Sequence, residues 1–277
     1  MRLAAVVTRQ SGGIMRFGVL GSLTMDDNGI GRLPSAPKQR QLLALFLMNA
    51  GHFTPASACI EELWGSDPPR TVTATLQTYI LQIRRSLAAA PEIGSMAQAR
   101  KVLITGNRGY HLIVPADSLD VLEFQRWLRD GRRAALRNDD ETQVRCLRMA
   151  LAQWRGPALG DVPVGPLLRP QVERLEEARI AAMRECFDAE LRLGRHQDIL
   201  GELRTAAARH PCDEEFQAQY MLALYRSGQQ LKALDVFHRL RATLAEQLGL
   251  GPSRTIRSLH ETMVHAHGEL SLEVIGA

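Results

Sequence analysis

The sequence predicts a mainly α protein with a small β part, divided into an N-terminal mixed domain and a C-terminal all-α domain. Three observations carry this. Strand-like segments are confined to residues 16–33 and 102–114, helical apolar periodicity fills nearly everything from Leu119 onward, and basic charge gathers in the first part. Residues 1–115 hold 12 Lys/Arg against 6 Asp/Glu, a net +6, whereas residues 116–277 hold 22 against 24, a net −2. A basic domain of this kind suits a polyanionic partner. The 277 residues, 45% hydrophobic and 23% charged, suffice for two soluble globular domains. No stretch approaches the ~20 apolar residues of a membrane span. The run Leu3–Val7 is also too short for a signal peptide core, so a cytoplasmic protein without membrane partners is expected.

Residues 1–14 lack periodicity and end in Ser-Gly-Gly, which predicts a disordered leader and makes Met15 a candidate translation start. Arg16–Leu23 reads as a strand, and Met25–Leu33 as a turn around Asp26-Asp27-Asn28-Gly29 followed by a second strand. A helix is predicted from Lys38 to Ala50, ended by Gly51. The next carries Thr54 as N-cap and Pro55 at its first position and runs to Trp64. After the tight loop Gly65-Ser66-Asp67-Pro68-Pro69, a third helix spans Arg70–Leu87. A polar linker follows, and Val102–Val114 forms a hairpin around Gly106-Asn107-Arg108-Gly109. Strands, three helices and a hairpin make a winged helix-turn-helix, and strands ahead of the first helix mark its OmpR-type subclass.

The second half divides into candidate helices 119–137, 141–154, 168–193, 196–209, 213–227, 230–248 and 253–267. Leu193-Gly194 recurs 34 residues later as Ser227-Gly228, and Ile199 and Leu203 match Ala233 and Phe237 at the same offsets. Pro211 closes the first copy, while Ala245 stands at the equivalent place in the second. This half is therefore expected to be a TPR-like solenoid, giving domains 15–115 and 116–277.

The third helix is the most informative segment. Val72, Leu76, Ile80, Ile83 and Leu87 share one face, which anchors it to a core. Thr71, Thr75, Thr78, Gln82 and Arg85 fall opposite, as hydroxyls, an amide and a guanidinium able to meet base edges and phosphates. Gln can pair with adenine and Arg with guanine in the major groove. Asn107 and Arg108 at the hairpin tip suit a narrow minor groove or phosphate. Lys38 and Arg40 on the first helix, with Arg70 at the start of the third, are candidate phosphate contacts.

Other chemistry finds little support. Cys59, Cys146, Cys186 and Cys212 lack zinc or CxxC spacing and are expected to be reduced, buried thiols. His265 and His267 fall on different helix faces, without a third ligand. There is no GxSxG, phosphate-binding loop, GxGxxG or HExxH motif, so neither catalysis nor a cofactor is expected.

Several segments together carry a family resemblance. They include Arg16-Phe17-Gly18-Val19-Leu20-Gly21, Pro37-Lys38-Gln39-Arg40-Gln41-Leu42-Leu43, Glu62-Leu63-Trp64-Gly65 with Pro68-Pro69-Arg70, and Thr75-Leu76-Gln77-Thr78-Tyr79-Ile80. Ala152-Gln153-Trp154-Arg155-Gly156-Pro157 and Leu248-Gly249-Leu250-Gly251-Pro252-Ser253 continue it in the second half. The chain resembles the Streptomyces antibiotic regulatory proteins in their short form. That resemblance implies an OmpR-type DNA-binding domain fused to a bacterial transcriptional activation domain. It also implies activation of secondary-metabolite clusters, through paired copies on direct repeats of double-stranded promoter DNA near −35 and contact with RNA polymerase and its sigma subunit. Carried onto this sequence, it adds Tyr79 and Arg84 to the DNA-facing set and assigns the loop Gly65, Ser66, Asp67, Pro68, Pro69 to polymerase. Leu81 and Gln82 stand where some OmpR-type proteins carry Arg. Without a receiver domain, control by aspartyl phosphorylation is not expected. Two other classes stay open at this point: a protein-binding TPR-type adaptor, separable by DNA footprinting, and an enzyme of unrecognised fold.

Overall fold

In the computed structural model, the residues described are 15–27 and 29–265; the predicted leader, Asn28 of the first turn, and His267 lie outside them. They form two compact units. The first takes the described residues up to Arg126 together with Met149–Arg179. The second takes Trp127–Arg148 and the described residues from Ile180 on.

The first unit opens with an antiparallel sheet of β1 (Arg16–Gly18), β2 (Thr24–Asp27) and β3 (Ile30–Gly31), with Phe17 opposite Met25. Phe17 and Met25 are buried, as alternation along a one-sided sheet requires. Helix α1 (Pro37–Met48) begins at its proline and buries Gln41–Leu47 without a break, so it is a core helix enclosed on every side. Strand β4 (Phe53–Pro55) and helix α2 (Ala56–Trp64) follow. Here the N-cap reading of Thr54 is corrected: Thr54 pairs with Tyr110 in a sheet, and Pro55 takes the N-cap position of α2 without a side-chain capping bond.

Helix α3 (Val72–Ala88) sinks Leu76, Ile80, Ile83 and Leu87 into the core, while Val72 is only half-buried. Each buried side chain contributes about 1.5–3 kcal/mol. The expected polar linker contains a short helix, α4 (Met96–Val102), with Ser95 capping the Gln98 amide. Strands β5 (Leu103–Gly106) and β6 (Gly109–Leu112) form the hairpin, and β4 joins it in the order β4-β6-β5.

Residues 149–179 complete this unit through polar anchors. Asp120, the first residue of helix α5 (Asp120–Ala135), accepts the amides of Val19 and Leu20 at 2.9–3.0 Å and a 2.9 Å bond from Arg155. Asp161 accepts the Leu23 amide at 2.7 Å. Glu62 on α2 is 2% exposed. Its carboxylate accepts from Gly165, Leu167 and Leu168 at 2.6–3.0 Å and from the Gln41 side chain at 2.9 Å. Those three amides lead into helix α7 (Leu168–Arg192), whose positive N-terminal end favours a carboxylate. A Cβ on Gly165 would lie 2.2 Å from the Glu62 carbonyl oxygen, so only glycine fits there.

Helices α5, α6 (Asp140–Leu151) and α7 contribute residues to both units. The second unit continues with α8 (Leu200–Arg209), α9 (Glu214–Arg226), α10 (Gln230–Leu248) and α11 (Arg254–His265) around one apolar core that includes Leu203, Phe216, Met221 and Phe237. The 34-residue repeat has a backbone counterpart. Gly194 and Gly228 both take positive φ, 76° and 73°. The amide after each bonds back five residues, Arg195 to Glu190 and Gln229 to Leu224, which is the Schellman ending of a helix. The matched residues Ile199, Leu203, Ala233 and Phe237 are all buried.

Candidate nucleic-acid interface

Burying one side of α3 turns the other outward. Thr71 is its N-cap residue, and Arg70 lies just ahead of the helix; both are exposed. Thr73, Ala74, Gln77, Thr78, Leu81 and Arg85 are exposed, and Thr75, Tyr79, Gln82 and Arg84 are half-buried at the flanks. Of the predicted readers, Thr71, Thr78 and Arg85 therefore face solvent most fully. Sequence reading passed over Thr73, Ala74, Gln77 and Leu81. The spacing 74, 78, 81, 85 follows one helical stripe and was available once Leu76, Ile80, Ile83 and Leu87 fixed the inner face. The Thr75 and Thr78 hydroxyls donate back along the helix, to the Thr71 and Ala74 carbonyls at 3.1 and 3.0 Å.

Several candidate DNA-binding residues are engaged within the protein. Arg84 donates through Nε and Nη2 to the Leu103 carbonyl at 3.0 and 2.7 Å and to the Thr105 hydroxyl at 2.7 Å. It thus ties α3 to the hairpin strand β5, and burial followed by the nearby Arg100 lowers its pKa. The Tyr79 ring stacks on Trp64, with centroids 6.1 Å apart and planes 12° from parallel. Lys38 lies over the other partner of that stack, 4.6 Å from the Trp64 ring centre, and donates to the Leu63 carbonyl at 3.0 Å. Arg40 donates to the Pro34 carbonyl at 2.9 Å. Arg84, Tyr79 and Lys38 shape the platform on which the exposed residues stand.

The hairpin closes through the two-residue turn Asn107-Arg108 between paired Gly106 and Gly109. Both turn residues are exposed, with Arg108 at φ 64°. A Cβ on Gly109 would meet the Phe53 ring at 2.4 Å and the Thr54 carbonyl oxygen at 2.5 Å, so β4 packs against bare backbone there. Residues Gly65 to Pro69, between α2 and α3, are all exposed. The arrangement offers a helix with a non-acidic outer face, a guanidinium-tipped hairpin, and a solvent-facing loop.

The cysteines are mostly buried thiols. Burial pushes the Cys59 and Cys186 thiols up to about 12, which suppresses thiolate chemistry. Cys146 is buried as well, and Cys212, expected buried, is half-buried and bonds to Gln247. Among the described residues no cluster of three or more His, Cys, Asp or Glu is placed to hold a metal, and no helix is long and apolar enough to cross a membrane.

Comparison with known proteins converges on regulators. Residues 31–112 match the family model described as "Transcriptional regulatory protein, C terminal", and residues 119–263 match "Bacterial transcriptional activator domain". The chain is 40% identical over 252 residues to the regulatory protein DnrI of Streptomyces peucetius, covering 91% of this chain and 93% of that one. It is 31% identical to the transcriptional regulatory protein MoaR1 of Mycobacterium tuberculosis, covering 94% and 83%. Among solved structures, Mycobacterium tuberculosis EmbR in complex with a low-affinity phosphopeptide matches with a TM-score of 0.82 at 32% identity. The match covers 90% of this chain and 65% of that one.

Proposed function

The chain belongs to the family of Streptomyces antibiotic regulatory proteins, transcriptional regulators with an OmpR-type DNA-binding domain and a bacterial transcriptional activator domain, and on that premise we propose that it is a cytoplasmic, pathway-specific activator of a secondary-metabolite gene cluster. Residues 15–115 bind double-stranded promoter DNA, with paired copies on direct repeats near −35. Residues 116–277, together with the loop 65–69, engage RNA polymerase and its sigma subunit.

The observation that carries this reading is α3. Four buried aliphatics hold it, its outer face bears no acidic residue, and Arg108 stands exposed on the neighbouring hairpin. Lys and Arg draw the domain to phosphates by releasing counterions, and the outer face of α3 then reads a few base pairs.

Footprinting of the purified chain on promoters beside its own gene, with run-off transcription by polymerase, tests the proposal. We expect protection of two adjacent half-sites and more transcript when the chain is added. Run-off stimulation without any footprint would favour the adaptor reading, and neither effect on any adjacent promoter would contradict the proposal.

A further inference from the structure

Two of the four residues on the exposed stripe of α3 carry no hydrogen-bond donor, and a third commits its own within the helix. Ala74 offers a methyl group and Leu81, 38% exposed, an isobutyl group open to solvent. Between them Thr78 directs its hydroxyl hydrogen to the Ala74 carbonyl, 3.0 Å away, leaving its methyl group and an acceptor oxygen for a partner. Thr75, at the flank, is committed in the same way to Thr71. Donors flank or end this strip: Gln77 beside it, Gln82 at its edge, Arg85 at its end. At 1.5 Å per residue the stripe from Ala74 to Arg85 is about 16 Å long, comparable to four or five base-pair steps of ~3.4 Å.

The major groove carries one apolar feature, the C5-methyl group of thymine, and α-helical alanine, threonine and other apolar side chains meet it by direct packing. An exposed leucine at the centre of a DNA-reading face is unfavourable in water and becomes favourable when such a methyl group covers it. We propose that Ala74, Thr78 and Leu81 form a methyl-reading strip that selects thymine at one or two positions of each half-site, with Leu81 the specificity-determining residue. The inference rests on the DNA-binding reading given above and specifies what that face recognises.

The test replaces thymine by deoxyuridine, one position at a time, in the footprinted site. This removes the methyl group and keeps every hydrogen-bonding group. Binding of the full chain is measured against the unmodified site and a scrambled duplex. One or two deoxyuridines are expected to weaken binding about threefold to tenfold. In Leu81→Ala, whose side chain is exposed and whose fold should persist, the same replacement is expected to have little effect. Leu81→Met, which keeps an apolar group, should retain most of the discrimination. Equal affinity for thymine and deoxyuridine at every position, with the scrambled duplex still rejected, would overturn the strip. Discrimination undiminished in Leu81→Ala would overturn the role of Leu81. If the scrambled duplex bound as well as the site, the DNA-reading proposal itself would fail.

Discussion

Both compact units bury an apolar core, and the first adds to it a set of long-range polar anchors. In the first, carboxylates that range from the buried Glu62 through the half-buried Asp120 to the exposed Asp161 reach backbone amides far away in sequence: Asp120 to Val19 and Leu20, Asp161 to Leu23, Glu62 to Gly165, Leu167 and Leu168. In the second, Phe187, Leu203, Phe216, Met221 and Phe237 share one continuous apolar core. Ion pairs such as Arg192–Asp140 lie at its half-exposed margin. An apolar stack spreads its stability over many interchangeable neighbours. A polar anchor concentrates it in single side chains whose removal strands several donors.

Four substitutions probe this contrast. Phe216→Ala, which empties a fully buried ring site, should cost about 3–5 kcal/mol in chemical denaturation. Glu62→Ala should cost about 3 kcal/mol by leaving three backbone N–H groups without their carboxylate acceptor and reducing the Gln41 amide to its bond with the Glu62 carbonyl. Its signature is local: hydrogen exchange should quicken first at Gly165, Leu167 and Leu168. A cost below about 1 kcal/mol would mean that the anchor merely compensates its own desolvation. Arg84→Ala should cost about 1–2 kcal/mol and loosen the hairpin, visible as faster exchange across β5 and β6.

The smallest effect is expected from His260. Its ring stacks on Phe237 with centroids 4.0 Å apart, and its pKa is lowered by burial first, then by His238 and Arg241, against the opposing effect of Glu261. Between that lowered value and the ordinary ~6.5, the unfolded chain binds more protons than the folded one. Stability should therefore rise with pH through this window and fall as pH drops below about 6.5. His260→Phe should flatten the slope slightly, since the ring is only partly buried. An unchanged slope in this variant would assign the pH dependence to other groups.

The same contrast governs how much was legible in the sequence. The helices of the second half follow the 3.6-residue apolar period, and α9, read as 213–227, runs from Glu214 to Arg226. The glycine pair 34 residues apart marked real helix endings because left-handed backbone has a recognisable residue preference. In the first half, long-range pairing decides. Thr54-Pro55 carries a sound local capping signal, yet a partner strand more than fifty residues later draws Thr54 into a sheet. Helix α4, with seven mostly polar or small residues, is too short for any period to show. Glu62 looks like a surface glutamate beside Glu61, and only the approach of Gly165 makes it an anchor. Arg84 and Arg85 are chemically identical neighbours. Helical geometry sends one toward the hairpin strand and the other into solvent, and this distinguishes a platform residue from a candidate reader.

The central claim is that the outer side of α3 reads bases. It is tested most directly by the affinity of a Gln82→Ala/Arg85→Ala double variant for the footprinted site and for a scrambled duplex at one salt concentration. Specific binding should weaken by about 1–3 kcal/mol for each side chain that had been paired with a base edge. Scrambled-duplex binding should change only by the small effect of one missing cation. Undiminished preference for the site in a folded double variant would contradict the claim.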